Sequence, residues 1–475
     1  MEEWRIQDRM SQLADVLEAP EEHGVGSVNG LVDMLQLDLG VMVRLDADAR
    51  PLLSAMKKVL TAGEMSGLDY SGLLSLLDTV VKLAPFETVL EVFSVEDIIT
   101  ALESDDQLVR TSCKVLAVSH PKDLFSTTRI MDVLLQLYFS QRTVPVNAVE
   151  DVFQSLCTDG LIRRRILENN YPLLREMRST HDAILFSRYL VLMTILFRHI
   201  DRSEFQKELF VPTTEEVLDS LKKDIFLFIN VAKYYRALLE YATDPGAAGG
   251  PRDWALSYIL PVLHAFGHIY ENKEKYIEVH SYARAYLFQL LRTVSYLEDM
   301  EVFRELDVKY LHISGDNPDV MHFMAIFNPM YLYRHHFDLL TSQVTVKPSF
   351  LPVLKNIVSC QETFEILKPA LTASAILIMP YSEQMVLLGQ LSSYPHSTEY
   401  LVQELPKVMS NLICNENGPI SEPETIELRK KVFENLLLYS ATVLNVWYEP
   451  LLDEYTNICS GKTSFVRTEV VDMYL

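Results

Sequence analysis

The sequence predicts an all-α protein built as a helical-repeat solenoid. Three observations predict it. Leucine recurs three and four residues apart along most of the chain, the spacing of helices with one apolar stripe. Glycine is scarce, 16 of 475 residues, which fits neither a turn-rich β protein nor a series of Rossmann-type loops. The length exceeds the ~250–300 residues that one core organises, so short helices joined by short breaks read as an array of stacked units. A helical bundle without repeats is the alternative. With 49% apolar and 23% charged residues the chain is expected to be ordered over most of its length.

Taken in order, helical spacing runs over Ala49–Leu60, Tyr70–Leu83, Glu87–Val92, Val95–Leu102, Gln107–Val118, Thr128–Phe139, Ala148–Cys157 and Ala183–His199. It continues over Glu215–Ala242, Trp254–Tyr270, Lys275–Leu297 and Val443–Tyr455. The breaks carry start signals, such as Ala84-Pro85, Ser119-His120-Pro121, Val144-Pro145 and Tyr171-Pro172, because proline fits the first turn of a helix and not its middle. Gly24 to Gly30 reads as a loop between helices. Two-residue alternation appears only briefly, at Gln343–Val346. The best HEAT-like match is Asp105-Asp106-Gln107-Leu108-Val109-Arg110, in which the acid caps the second helix, Val109 packs inside and Arg110 reaches a neighbouring repeat. The expected organisation is one continuous helical-repeat domain, 1–475, with a loose surface loop near 244–251 and disorder expected at 1–3 and 461–475.

The formal charge is −23, from 42 basic and 65 acidic residues. That balance repels phosphate and suits a basic protein partner better than nucleic acid. The one basic cluster, Arg163-Arg164-Arg165, opens a helix, where consecutive side chains point ~100° apart and cannot form a single patch. These arginines are expected to be solvated or salt-bridged. Five cysteines, Cys113, Cys157, Cys360, Cys414 and Cys459, are odd in number and widely spaced. They fit buried reduced thiols rather than a disulfide frame or zinc site. The charged start Met1-Glu2-Glu3-Trp4-Arg5 is no signal peptide. The apolar runs Tyr189–Phe197 and Ala370–Met379 are shorter than the ~18–20 residues that span a bilayer. A cytoplasmic protein is expected, with the nucleus also open to it.

No catalytic constellation is legible, so no enzyme, cofactor or metal is expected. His264 and His268 stand four apart, but Ala265 occupies the place where a zinc protease needs a glutamate. Gly461-Lys462-Thr463 has Thr456 where a phosphate loop needs glycine. The glycines at 24, 26 and 30 have the wrong spacing for a dinucleotide loop, and there is no Gly-x-Ser-x-Gly elbow. Met473-Tyr474-Leu475 has the hydrophobic–Tyr–any form of proteasome-activating tails, and a chance match is the simpler reading.

Several stretches carry a resemblance. They are Arg50-Pro51-Leu52-Leu53 running into Lys57-Lys58, Val89–Asp97, Gly160–Asn170, Met379–Met385, Glu404–Leu412 and Val446–Tyr455. In these the chain resembles the fungal proteasome base-assembly chaperones, a family also called DNA mismatch repair proteins. The resemblance is collinear over residues 50–460. It implies a curved stack of about ten or eleven HEAT/armadillo-like pairs. It also implies a partner: the C-terminal domain of a proteasome AAA ATPase, the regulatory subunit 7 homolog. That domain is held with neighbouring base subunits and released before the holoenzyme is complete. A monomer before binding is expected. Trp447 and Tyr448 read as core packing.

In a solenoid the second helix of each pair lines one face. Polar positions turned away from the core on Gln107–Val118, Val146–Cys157, Ala183–His199 and Ile225–Tyr241 are therefore the candidate contacts. They are Arg110, Lys114, Asn147, Glu150, Asp151, Ser187, Arg188, Asn230, Lys233 and Tyr234. Two other function classes stay open: a factor in mismatch repair or mutagenesis control, and a generic solenoid scaffold or adaptor.

Overall fold

The computed structural model of the chain describes residues 2–19, 24–62, 66–104, 106–140, 145–246, 252–415, 420 and 422–460, with side chains from residue 6 onward. Asp105, most of the loop near 244–251, Gly461-Lys462-Thr463 and the Met473-Tyr474-Leu475 tail lie outside the described residues. Among the described residues helix is the only regular structure, as the all-α helical-repeat class requires. Two compact units divide the chain. The first comprises Met1–Ala265 with Ser281–Tyr286, and the second Phe266–His280 with Leu287–Leu475.

In the first unit one row of helices is stacked rung on rung: α1 (Val25–Leu39), α2 (Tyr70–Leu83), α3 (Asp106–Ala117), α4 (Val146–Leu156), α5 (Ala183–Phe197) and α6 (Ile225–Thr243). Helices such as Glu2–Glu18, Arg50–Ala62 and Val95–Leu102 lie against this row as the other layer. The second unit repeats the plan with α7 (Val320–Ile326), α8 (Leu351–Val358), α9 (Tyr381–Leu391), α10 (Pro423–Leu437) and α11 (Tyr448–Ser460). Its core is aromatic. Phe303 meets Phe327 and Tyr331 edge-on with ring centroids 4.8 and 4.7 Å apart, and Phe323 stacks on Phe327 at 5.0 Å. Asp307 is buried beside them. It accepts from the Tyr331 hydroxyl and the His336 Nε2 at 2.6 Å each and from the Ile313 N–H at 2.9 Å, which offsets its desolvation.

The last carbonyls of a helix have no partner within it. Here side chains from a neighbouring repeat supply the donors. Arg252 donates to the carbonyls of Arg198 and Ile200 at 2.7 and 3.0 Å. In the second unit Asn356 serves Met324 and Phe327, His396 serves Val358, Tyr400 serves Lys368 and Leu371, and Asn435 serves Gly389. Gln390 and Trp447 do the same for Lys355 and Val402. Each such bond is worth roughly 1 kcal/mol and fixes the register of one repeat on the next.

Several expectations are corrected. Gly24 to Gly30 is not a loop: α1 begins at Val25, and only Gly24, at φ 78°, takes the left-handed conformation. Val28, Val32, Leu35 and Leu39 form its buried stripe, strong enough to carry Gly26 and Gly30 inside the helix. The run Glu215–Ala242 is two helices. Asp224 is extended and its carboxylate accepts from the Phe226 N–H at 2.9 Å, so it ends one helix and caps the next. Of the cysteines only Cys113 and Cys157 are buried; Cys414 and Cys459 are exposed. In the HEAT-like match Val109 is buried, but Arg110 is exposed and makes no ion pair among the described residues. Trp447 and Tyr448 are only half-buried, and Leu444 and Leu451 fill the core there.

The three arginines are salt-bridged in three directions. Arg163 reaches Glu204 at 3.0 Å, Arg164 faces Glu168 at 3.8 Å, and Arg165 pairs with Asp132. A π-turn over Arg165–Asn169 follows them. His268 lies beside Asn272 in its own helix, Nδ1 to Nδ2 at 3.1 Å. Among the described residues no group of three or more potential ligands is arranged for a metal. No described helix is long and apolar enough to cross a membrane.

Candidate partner-binding groove

Two caps set the geometry of a groove on the first unit. Asp182 accepts from the Ile184 and Leu185 N–H groups at 2.8 and 3.0 Å and starts α5; Asp224 starts α6 in the same way. Each cap fixes the residue two places on, and both of those are apolar and in water. Ile184 is 66% exposed and Phe226 70%. With Val191 they form an apolar row along a groove of about 560 Å³ between α4, α5 and α6. Such side chains left in water are a standing source of binding energy, at ~25 cal/mol per Å² of apolar surface a partner covers.

The polar margin is held rather than loose. Tyr138, fully buried, shares its one hydroxyl proton between the Glu150 carboxylate at 2.8 Å and the Arg188 carbonyl at 3.1 Å. Burial, then the Glu150 charge, raises the Tyr138 hydroxyl far above its ordinary pKa, so it remains a donor. Arg188 donates to the carbonyls of Tyr138 and Ser140 at 2.8 and 3.0 Å. Asn230 donates to the Ser187 hydroxyl at 3.0 Å, joining α6 to α5. Lys233 lies 4.9 Å above the Tyr286 ring. The groove therefore shows both signs of charge around apolar anchors, preorganised by bonds to the scaffold. That suits a folded protein surface.

Six of the ten candidate residues come together here: Glu150, Ser187, Arg188, Asn230, Lys233 and Tyr234. Tyr234 is nonetheless a core residue, 3% exposed, with its hydroxyl spent on the Phe210 carbonyl at 2.6 Å. Its ring packs edge-on against Tyr235, 6.0 Å away. The other four lie outside the groove. Lys114 pairs with Asp78, and Arg110, Asn147 and Asp151 are exposed on α3 and α4. The apolar members Ile184, Val191 and Phe226 are not among the candidates, all of which are polar positions. The signal was present in the caps Asp182 and Asp224, each followed two residues later by a large apolar side chain.

The groove lies inside a stretch that known families recognise. Residues 7–240 match the N-terminal domain of DNA mismatch repair protein HSM3, and residues 252–475 match its C-terminal domain. The chain belongs to the HSM3 family. Among its HSM3 relatives is the protein named DNA mismatch repair protein HSM3 from Kluyveromyces lactis, 34% identical over 94% of this chain and 95% of that one. The HSM3 proteins of Saccharomyces cerevisiae and Candida glabrata are each 33% identical, covering 98% and 84% of this chain and 97% and 84% of their own. The two HSM3 domains leave 241–251 between them, where the sequence places its loosest loop.

Proposed function

We propose that this chain is an assembly chaperone of the proteasome regulatory-particle base. It binds the C-terminal domain of a AAA ATPase subunit, the regulatory subunit 7 homolog, and keeps it from docking too early. The observation that carries this reading is the preformed apolar row Ile184, Val191 and Phe226 within a margin of both charge signs. It is read together with the collinear resemblance to base-assembly chaperones. A rigid groove lowers the ordering cost of binding a folded domain. An acidic chain of net charge −23 gains on-rate toward a basic one. Occupying the ATPase tail domain blocks docking by volume alone, so no chemistry is needed. Release before completion and a cytoplasmic, monomeric free state belong to the same proposal. Affinity capture from cell extract is expected to recover a subset of base ATPases without complete proteasomes; recovery of unrelated proteins alone would sink it.

A direct role in DNA mismatch repair is the second reading, and the name of the HSM3 relatives favours it. It requires salt-sensitive DNA binding. Against it stand the charge of the chain and the commitment of Arg163, Arg165, Arg178 and Arg429 to carboxylates. A gel shift at low salt decides between the two.

A further inference from the structure

A second concave surface of the first unit lies past the C-terminal ends of α5 and α6. One turn of α5 separates Thr194, the last groove residue on that helix, from its end at Phe197. The loop that follows carries Arg202 and Phe205. After α6, Arg252 bonds to the carbonyls of Arg198 and Ile200 and so holds Asp253 and Trp254 near that loop. Arg202, Phe205, Asp253, Trp254, Ser257 and Tyr258 line a cleft of about 520 Å³. The Phe205 ring meets Phe210 at 5.6 Å, Trp254 at 4.9 Å and Tyr258 at 5.6 Å, so aromatic packing runs from the core to the surface. It ends in water: Tyr258 is 46% exposed and Trp254 is half-buried. Arg202 and Asp253 are both exposed, and neither forms an ion pair among the described residues.

Groove and cleft are built on the same two helices. A stable interface takes about 800 Å² and roughly 20–30 residues from each side, whereas 15 residues line the groove. A folded domain seated there reaches past the groove, and the end of α5 is one turn away. Trp, Tyr and Arg are the side chains that most often carry the binding energy of an interface. The two unpaired charges define what complements this cleft: Arg202 takes a carboxylate, and Asp253 takes a basic side chain. Trp254 and Tyr258 add apolar ring area beside them. We propose that the cleft is a second contact point for the ATPase domain held in the groove. It receives from that domain an apolar side chain flanked by one acidic and one basic residue. This rests on the reading of the groove as the seat of that domain.

The test uses the full chain and the purified C-terminal domain of the regulatory subunit 7 homolog. A photo-crosslinking benzoylphenylalanine is placed in turn at Tyr258, at Phe226 in the groove, and at Val43, which is 96% exposed elsewhere on the first unit. Crosslinks to the domain are expected from the first two positions and not from Val43. Arg202→Glu with Tyr258→Ala should weaken the affinity for the domain about five- to tenfold, most at low salt. Thermal unfolding of the same preparation separates lost contact from lost fold. Crosslinking from Phe226 but not from Tyr258, with the affinity of the double variant unchanged, overturns the proposal and leaves the groove reading standing. A crosslink from Val43 as strong as that from Tyr258 also overturns it, as random collision. No crosslink from Tyr258 or Phe226 overturns both readings.

Discussion

Arg188 and Tyr138 hold each other by reciprocal bonds: the guanidinium donates to the tyrosine carbonyl at 2.8 Å, and the phenol donates to the arginine carbonyl at 3.1 Å. The pair ties the end of helix Ile130–Tyr138 to the middle of α5. Tyr138→Phe leaves the Glu150 carboxylate without its buried donor and should destabilise the protein by about 1–2 kcal/mol. Urea unfolding measures this; an unchanged midpoint would show that the phenol's bonds contribute nothing.

Ile184 and Phe226 are mostly in water, so their replacement tests binding apart from stability. Ile184→Asp with Phe226→Asp should change stability by no more than about 0.5 kcal/mol at each site. The same double variant should lower partner capture at least tenfold, since charge would enter the centre of the interface. Thermal unfolding and capture measured on one preparation separate the two effects.

Arg163 and Glu204 form a pair that is almost wholly out of water, at 11% and 13% side-chain exposure, with Arg163 also donating to the carbonyls of Cys157 and Thr158. Glu204→Ala strands the guanidinium and should cost about 3 kcal/mol. Replacing both residues by apolar side chains of similar volume should cost less than that single change, which a double-mutant cycle reads directly.

Glu216 sets an acid limit. Burial alone would raise its carboxyl, but the Arg178 fork, with contacts of 3.0 and 2.7 Å, and the Thr213 N–H hold it below the ordinary glutamate value of 4.5. A lowered folded-state pKa contributes stability that is fully present above 4.5 and is lost as pH falls through the lowered value. Unfolding free energy should therefore decline on acidification below that point. Glu216→Gln should flatten this part of the decline and cost about 2 kcal/mol at neutral pH, less than a fully buried pair because Glu216 keeps partial contact with water. A variant with the same acid slope would refute the assignment.

Gly267 faces the Tyr310 ring so closely that an added methyl would overlap it. Gly267→Ala should destabilise the second unit by about 1–3 kcal/mol despite the better helix propensity of alanine. Hydrogen exchange within Phe303–Tyr331 is the readout, and protection equal to the parent would count against the contact.

The fold was legible where period and punctuation agree. Tyr70–Leu83 and Val95–Leu102 were bounded to the residue, because Asp69 and Ser94 cap them and apolar positions recur every three or four residues. It was misread where one local signal outweighed the stripe, as at the glycines of α1, or where a cap sat inside an unbroken pattern, as at Asp224. Half of the groove was legible, because polar positions on stacked second helices converge there. Its apolar half was not, since exposure of Ile184 and Phe226 depends on which neighbouring helix leaves them uncovered. Tyr234 failed for the converse reason: a polar atom on a large ring said nothing about whether the Phe210 carbonyl waited for it inside.

In the second unit the donors that close helix ends stand later in the chain than the carbonyls they serve, by 29 to 46 residues. On a ribosome, which delivers the N-terminal side first, each of these helices is made before its closing donor exists. Asn356, Gln390, His396, Tyr400, Asn435 and Trp447 then arrive in turn, and each seals a helix already outside the exit tunnel. A product truncated before one of these donors lacks the bond that ties the preceding repeat's helix end to the next repeat.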